Sequence, residues 1–298
     1  MIGFVNAKIN IGLQIVRRRE DGYHDLHTVF YPIGLCAGTP LNPVPFCDIL
    51  EITPADKEGL SFEFSGRKID CPEEKNLVCK AARLFMAAKG EELTAALDAP
   101  GVTVRLDKHL PDGAGMGGGS ADASFTLRML NDMLPSAVRL SRYELADMAL
   151  RLGADCPFFI YNEPMLGEGV GERLTPVLLD LSGYWLVAVK PRVYVSTREA
   201  FSGVTLREDG FDLRRLAEIP VNEWDGLAVN DFETSVFPLH PELKEIKEFM
   251  TASGAAYASM TGSGSSIFGL FANEESAAKA ARGFDGDTTI EQVYLLKL

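Results

Sequence analysis

The run Pro111-Asp112-Gly113-Ala114-Gly115-Met116-Gly117-Gly118-Gly119-Ser120-Ala121-Asp122 is the densest chemical signal in the chain. Five glycines fall within the seven positions 113–119. Without Cβ atoms, their backbone amides can approach a ligand closely, and a helix starting just beyond them adds partial positive charge at its N-terminus. Those features suit a polyphosphate. Without a ligand the same run reads as a flexible surface turn.

Gly113, Gly115 and Gly118 also fall in G-x-G-x-x-G spacing, the fingerprint of a dinucleotide site. Such a site needs a βαβ unit and an acidic residue about 20 residues on. Here a helical stripe runs to Leu134 and a second helix follows. No G-K-[ST] closes the run, which excludes a P-loop, and the H-R-D and D-F-G signatures of protein kinases are missing.

Two other places carry candidate acid–base or cationic groups. Asp155, between Gly153 and Pro157, fits a carboxylate at the rim of a core that takes a proton from a substrate hydroxyl; by spacing alone a turn aspartate is the plainer reading. Lys8 and Asn10 lie two apart on one face of a strand, where a lysine is either functional or solvated. A second glycine-serine cluster, Thr261-Gly262-Ser263-Gly264-Ser265-Ser266, reads alone as a hairpin turn. His24 follows Arg19-Glu20-Asp21-Gly22-Tyr23 with no sequence partner to define its role.

The elements that must position these groups follow from periodicity. Over 5–15 the odd positions are Val, Ala, Ile, Ile, Leu and Ile and the even ones Asn, Lys, Asn, Gly and Gln, a strand with one apolar and one polar face. Positions 102–106 alternate as a strand leading into the glycine run, and Ala123, Leu127, Leu130 and Leu134 form a helical stripe after it. Ser141 and Glu144 make a capping box for a helix ending near Leu152, with Gly153 as a left-handed stop. The apolar run 156–161 reads as a strand. Beyond a boundary at about 163 come a strand at 185–190 and a helix carrying Leu243, Ile246 and Phe249 or Met250. A strand pair around Gly262, a helix at 274–282 and a strand at 292–296 complete a β-α-β-β-α-β, ferredoxin-like order. The expected class is therefore α+β, with domains at 1–163 and 164–298.

Composition narrows the partners. The 298 residues are 46% hydrophobic and 24% charged, with a net charge of −13 and no basic stripe, so neither nucleic acid nor a membrane is an expected partner. An anionic ligand must then be held locally by amides and a few placed cations. Five cysteines without a C-x-x-C pair fit a reducing cytoplasm. The four histidines have no zinc-ligand spacing, so no metal site is expected from the chain itself.

Ala7-Lys8-Ile9-Asn10, the run 111–123 and Thr261 to Ser266, in that order, make the chain resemble the GHMP kinases, the superfamily of galactokinase, homoserine kinase and mevalonate kinase. Asp21-Gly22-Tyr23-His24 with Thr28-Val29-Phe30, Gly153-Ala154-Asp155-Cys156-Pro157-Phe158-Phe159 and Gly167-Glu168-Gly169-Val170-Gly171-Glu172 are most similar to the members that phosphorylate a cytidylyl polyol in the non-mevalonate isoprenoid route.

The resemblance implies a ribosomal-protein-S5-like N-terminal domain and a ferredoxin-like C-terminal domain. It also implies ATP as phosphoryl donor, Mg²⁺ arriving with the nucleotide, Asp155 as general base and Lys8 as hydrogen-bond donor to both the substrate hydroxyl and Asp155. Tyr23 and Phe201 would stack on the cytosine, His24 would read its edge, and Asn10 and Thr197 would make polar contacts to the substrate. The ATP side would comprise Asn76 and Lys108 near the adenine and Pro111, Gly113, Ala114, Gly115, Met116, Gly117, Gly118, Gly119, Ser120, Ala121 and Asp122 around the phosphates. Ala121 departs from the pattern, standing where the family commonly has a second serine. The stretch 36–46 reads as a small insertion, and nothing in the sequence requires more than a monomer or a homodimer. The competing readings are a GHMP kinase for mevalonate, homoserine or a sugar, and a catalytically silent ligand-binding member.

Overall fold

The computed structural model describes residues 1–34, 46–68, 71–207 and 210–298. Its strands are β1 (Ile2–Val5), β2 (Ala7–Arg18), β3 (His24–Ile33), β4 (Asp48–Ala55), β5 (Gly59–Gly66), β6 (Gly101–Lys108), β7 (Met165–Glu168), β8 (Arg173–Pro176), β9 (Trp185–Pro191), β10 (Tyr257–Met260), β11 (Ile267–Phe271) and β12 (Ile290–Lys297). The α-helices are α1 (Leu77–Leu97), α2 (Gly118–Asp132), α3 (Arg142–Leu150), α4 (Cys156–Tyr161), α5 (Thr197–Ser202), α6 (Glu233–Val236), α7 (Pro241–Ala252) and α8 (Glu274–Arg282). Residues 36–45 of the stretch read as an insertion lie outside the described residues. No helix among the described residues is long and apolar enough to cross a membrane.

The chain divides into two compact units. One comprises residues 1–7, 45–112 and 117–163. Its sheet has the order β1-β4-β6-β5, with β5 parallel to β6 and the other pairs antiparallel. Along β6, Val102, Val104 and Leu106 are buried while Arg105 points out and bonds to Glu51 and Glu63 on the flanking strands. In α2 the stripe Ala123, Leu127 and Leu130 is buried as its spacing predicts.

Three expectations change in this unit. The strand expected over 5–15 is two strands, because Asn6 interrupts it: its amide donates to Ala7 O and exchanges hydrogen bonds with the amide of Asn162. The run 156–161 is the helix α4, not a strand. Pro157 sits in its first turn, where a proline has no amide to lose, and an apolar run buried on all sides carries no period to separate helix from strand. Gly153 is not a left-handed stop. The capping box of Ser141 and Glu144 starts α3 as expected, but α3 ends at a helical Arg151, and the left-handed cap falls at Asn162, φ 55°.

The other unit comprises residues 8–44, 113–116 and 164–298 and holds two four-stranded sheets, β2-β3-β7-β8 and β10-β11-β9-β12. The second sheet, with α7 and α8 among its connections, has the ferredoxin-like order read from the sequence. On α7 the inward residues are Leu243, Ile246 and Met250, with Phe249 on the rim. The β2 strand departs from its expected half-solvated state, since every residue from Ala7 to Ile15 is buried, the polar ones included. Buried polar groups must find partners, and those partners build the site.

Candidate active site

Lys8, 2% exposed, donates from its ammonium to Asn10 Oδ1 at 2.5 Å and to the Gly115 carbonyl at 2.8 Å, and it lies 5.5 Å from the centre of the Phe30 ring. Asn10 is held in turn. Its side-chain amide donates to Thr28 Oγ1 at 3.0 Å, and the Thr28 hydroxyl donates to Gly12 O at 2.5 Å. The Asn10 backbone amide donates to Thr261 Oγ1 at 3.1 Å, and the Thr261 hydroxyl lies 3.1 Å from Gly115 O. Asn230 fixes the same turn by donating to Met260 O and Gly262 O. The cluster 261–266 is thus more than a hairpin turn, because it ties β2 to residue 115 of the glycine run. Gly115 itself, φ +71°, cannot be replaced without movement: a Cβ there would lie 2.0 Å from Thr261 O.

The glycine run ends in α2, whose N-cap is Gly117. Among the described residues the amides of Gly113, Gly115 and Gly117 donate to no backbone carbonyl, leaving them available to an anion. In the first unit Lys108 lies fully buried between two carboxylates, at 2.5 Å from Asp48 Oδ2 and 2.7 Å from Asp122 Oδ2. Asp48 Oδ1 also accepts from the amides of His109 and Leu110. Burial alone would pull the Lys108 ammonium down, but the two carboxylates outweigh it and hold it above its ordinary value. The Asn76 carbonyl oxygen caps α1 by accepting from Val78 N. Lys108 and Asn76 therefore have committed side chains. Ala121 is fully packed, so this position offers core contact and no hydroxyl.

Asp155 lies in the turn at the N-cap position of α4 and makes no capping hydrogen bond. It stands half-buried beside Cys156, whose thiol burial pushes up to about 11 and so keeps inert as a nucleophile. The Ser124 hydroxyl anchors the start of α4 by donating to Cys156 O at 2.7 Å.

In the second unit the β2–β3 turn presents Tyr23, 65% exposed, with its amide bonded to Asp21 and with Arg19 paired to Asp21 and Asp25. The His24 ring stacks on Phe201 with centroids 4.8 Å apart, and Phe201 meets Phe232 edge-to-face. Thr197 and Phe201, four apart on α5, share a face, and Thr197 Oγ1 lies 3.4 Å from Ser263 Oγ.

The second unit thus holds Lys8, Asn10, residues 113–116 and the Tyr23, His24, Phe201 and Thr197 group, while Asp155, Asn76, Lys108, Pro111 and residues 117–122 belong to the first. Sequence reasoning missed Thr28, Thr261, Asn230, Phe232 and Asp48 as site residues. Thr28 and Thr261 lay inside quoted motifs, but Asp48, Asn230 and Phe232 carried no local signal. Among the described residues no group of three or more His, Cys, Asp or Glu side chains is placed to hold a metal ion.

The model of the GHMP kinases N terminal domain matches residues 76–163 and that of the GHMP kinases C terminal domain matches 211–286. A 4-diphosphocytidyl-2-C-methyl-D-erythritol kinase of Bacteroides fragilis is 46% identical over 94% of this chain and 95% of its own length. The chain belongs to this family of GHMP kinases. A Parabacteroides distasonis member is 45% identical over 91% of the chain and 92% of its own length. A crystal structure of a 4-(cytidine 5'-diphospho)-2C-methyl-D-erythritol kinase matches with a TM-score of 0.78 and 32% identity, covering 99% of this chain and 98% of that one. A homoserine kinase from Cytophaga hutchinsonii, 18% identical with a TM-score of 0.66 over 99% of this chain and 95% of that one, shares the GHMP kinase fold.

Proposed function

We propose that this chain transfers the γ-phosphoryl group of ATP to the 2-hydroxyl of 4-diphosphocytidyl-2-C-methyl-D-erythritol, a step of non-mevalonate isoprenoid precursor synthesis. The observation that carries the proposal is the ammonium of Lys8, buried on β2 and bonded to the carbonyl of Gly115, which puts a fixed cation at the glycine run suited to phosphates.

In the reaction the Asp155 carboxylate takes the proton of the 2-hydroxyl, and that oxygen bonds to the γ-phosphorus as the bond to the β–γ bridging oxygen breaks and ADP leaves. Lys8 donates to the reacting hydroxyl and stabilises the charge that develops there. The unpaired loop amides and the α2 N-terminus hold the phosphates of ATP, which brings Mg²⁺ with it as part of the substrate. Tyr23 and Phe201 offer stacking surface for the cytosine, His24 reads its edge, and Asn10 and Thr197 supply polar contacts. Asn76, Pro111 and residues 113–121 line the nucleotide side, with Lys108 and Asp122 at the two ends of that run supporting it.

Residues 1–163 and 164–298 are the corresponding domains, supported by family-model matches that end at 163 and resume at 211. A cytoplasmic monomer or homodimer without nucleic-acid or membrane partners accompanies this reading, supported by the net charge of −13 and by the free cysteines 47, 71, 79 and 156.

ADP release with Mg²⁺-ATP and, in turn, the cytidylyl substrate, mevalonate, homoserine and galactose tests the proposal. Turnover with the cytidylyl substrate alone is the expected result. Turnover only with another acceptor would sink the substrate assignment, and silence with all four would favour a ligand-binding member.

A further inference from the structure

Asp48, Lys108 and Asp122 come from three segments of the first unit: the start of β4, the end of β6 and the first turns of α2. All three side chains are at least 97% buried. Lys108 immediately precedes the glycine run, whereas Asp122 follows it. Asp48 also grips the two amides after Lys108, and Gly118, at the start of α2, has its missing Cβ facing the ammonium, where an added carbon would lie 3.1 Å from Nζ. The ammonium is therefore enclosed by protein on the side of the nucleotide loop and directed at two carboxylates. We infer that Lys108, Asp48 and Asp122 are positioning residues, a charge-balanced strut that sets the distance between the two segments flanking the glycine run, and that the Lys108 ammonium does not contact the nucleotide. The inference rests on the ATP-binding reading of that run.

Charge balance has a consequence. One ammonium against two carboxylates leaves a net negative charge in a buried place unless one proton is shared. Asp122 Oδ1 is buried and lacks a hydrogen-bond partner, an arrangement that costs a neutral carboxyl group less than a carboxylate. Burial first, and then Asp48, push the Asp122 carboxyl up to about 8 against the opposing pull of Lys108. The charged groups acting on Asp122 are thus Lys108 of β6 and Asp48 of β4. His109, next to Lys108, is engaged with Asp107.

A folded value above that of an unfolded aspartate, about 3.9, means that this stabilisation is full below pH ~4 and is lost as pH rises through about 8. Above that pH Asp122 adds negative charge to the first turns of α2, where phosphate binding wants positive potential.

The test compares wild type with Asp122→Asn, which preserves shape and cannot ionise, from pH 6.5 to 9.5. In wild type the KM for ATP should rise above about pH 8, by at most about tenfold per pH unit for one proton, with a smaller change in kcat. Asp122→Asn should flatten that rise. Asp48→Asn, which leaves one carboxylate to one ammonium, should flatten it as well and serves if the first variant does not fold. A rise of equal steepness in wild type and the variants would overturn the inference. Unfolding midpoints of the same proteins over pH 5 to 9 need no substrate, and a wild-type decline toward pH 8 that Asp122→Asn lacks is expected there. If wild type turns over no ATP at any pH, the kinase reading fails while the unfolding comparison still decides the strut.

Discussion

Two buried lysines are held by different partners. Lys8 of β2 donates to an amide oxygen and a backbone carbonyl, whereas Lys108 of β6 lies between two carboxylates. An amide oxygen and a backbone carbonyl give the Lys8 ammonium its direction, while two carboxylates, one of them carrying a proton, balance the charge of Lys108. Equal burial therefore does not mean equal role. Under the proposed reaction the first lysine serves the chemistry on phosphate, and the second serves the architecture of the first unit.

The comparison is broken most severely at the reacting groups. Asp155→Asn should lower kcat by about 10²–10⁴-fold with cooperative unfolding retained, measured by ADP release and calorimetry on one preparation. Lys8→Met should lower kcat by about 10²-fold or more through lost charge stabilisation. Lys108→Met should act on stability, costing about 3–5 kcal/mol in denaturant unfolding because two buried carboxylates lose their partner.

Smaller effects sharpen the contrast. Thr261→Val removes the hydroxyl that holds the Asn10 amide and should cost about 1–3 kcal/mol of stability together with part of kcat, with Thr261→Ser restoring both. Phe201→Ala should raise the KM for the cytidylyl substrate by up to about tenfold, the size of an aromatic pair, and leave the KM for ATP alone. Ser141→Ala, remote from both lysines, should cost only about 1 kcal/mol of stability by loss of the α3 cap.

Much of this was legible in the sequence because its signals were local. The glycine run, the Ser141–Glu144 box and the apolar spacing of α2, α7 and α8 each depend on residues within one or two turns. The run 156–161 misled because full burial erases periodicity, and β2 misled because its polar face is covered by partners far away in sequence, Thr261 and the Gly115 carbonyl among them. Asp48 lay beyond reach for the same reason: its meaning comes from a lysine sixty residues later. The Asn6 break is similar, resting on an amide pair with Asn162. Long-range satisfaction of buried polar groups is the part of the site that a single sequence does not display.

The most direct test is ADP release by wild type and Lys8→Met at saturating Mg²⁺-ATP with 4-diphosphocytidyl-2-C-methyl-D-erythritol as acceptor. Wild-type turnover with a folded Lys8→Met at least about 10²-fold slower is the predicted result. Near-equal turnover of the two proteins would contradict the assignment of Lys8 to the chemistry, and no wild-type turnover with this acceptor would contradict the proposed reaction.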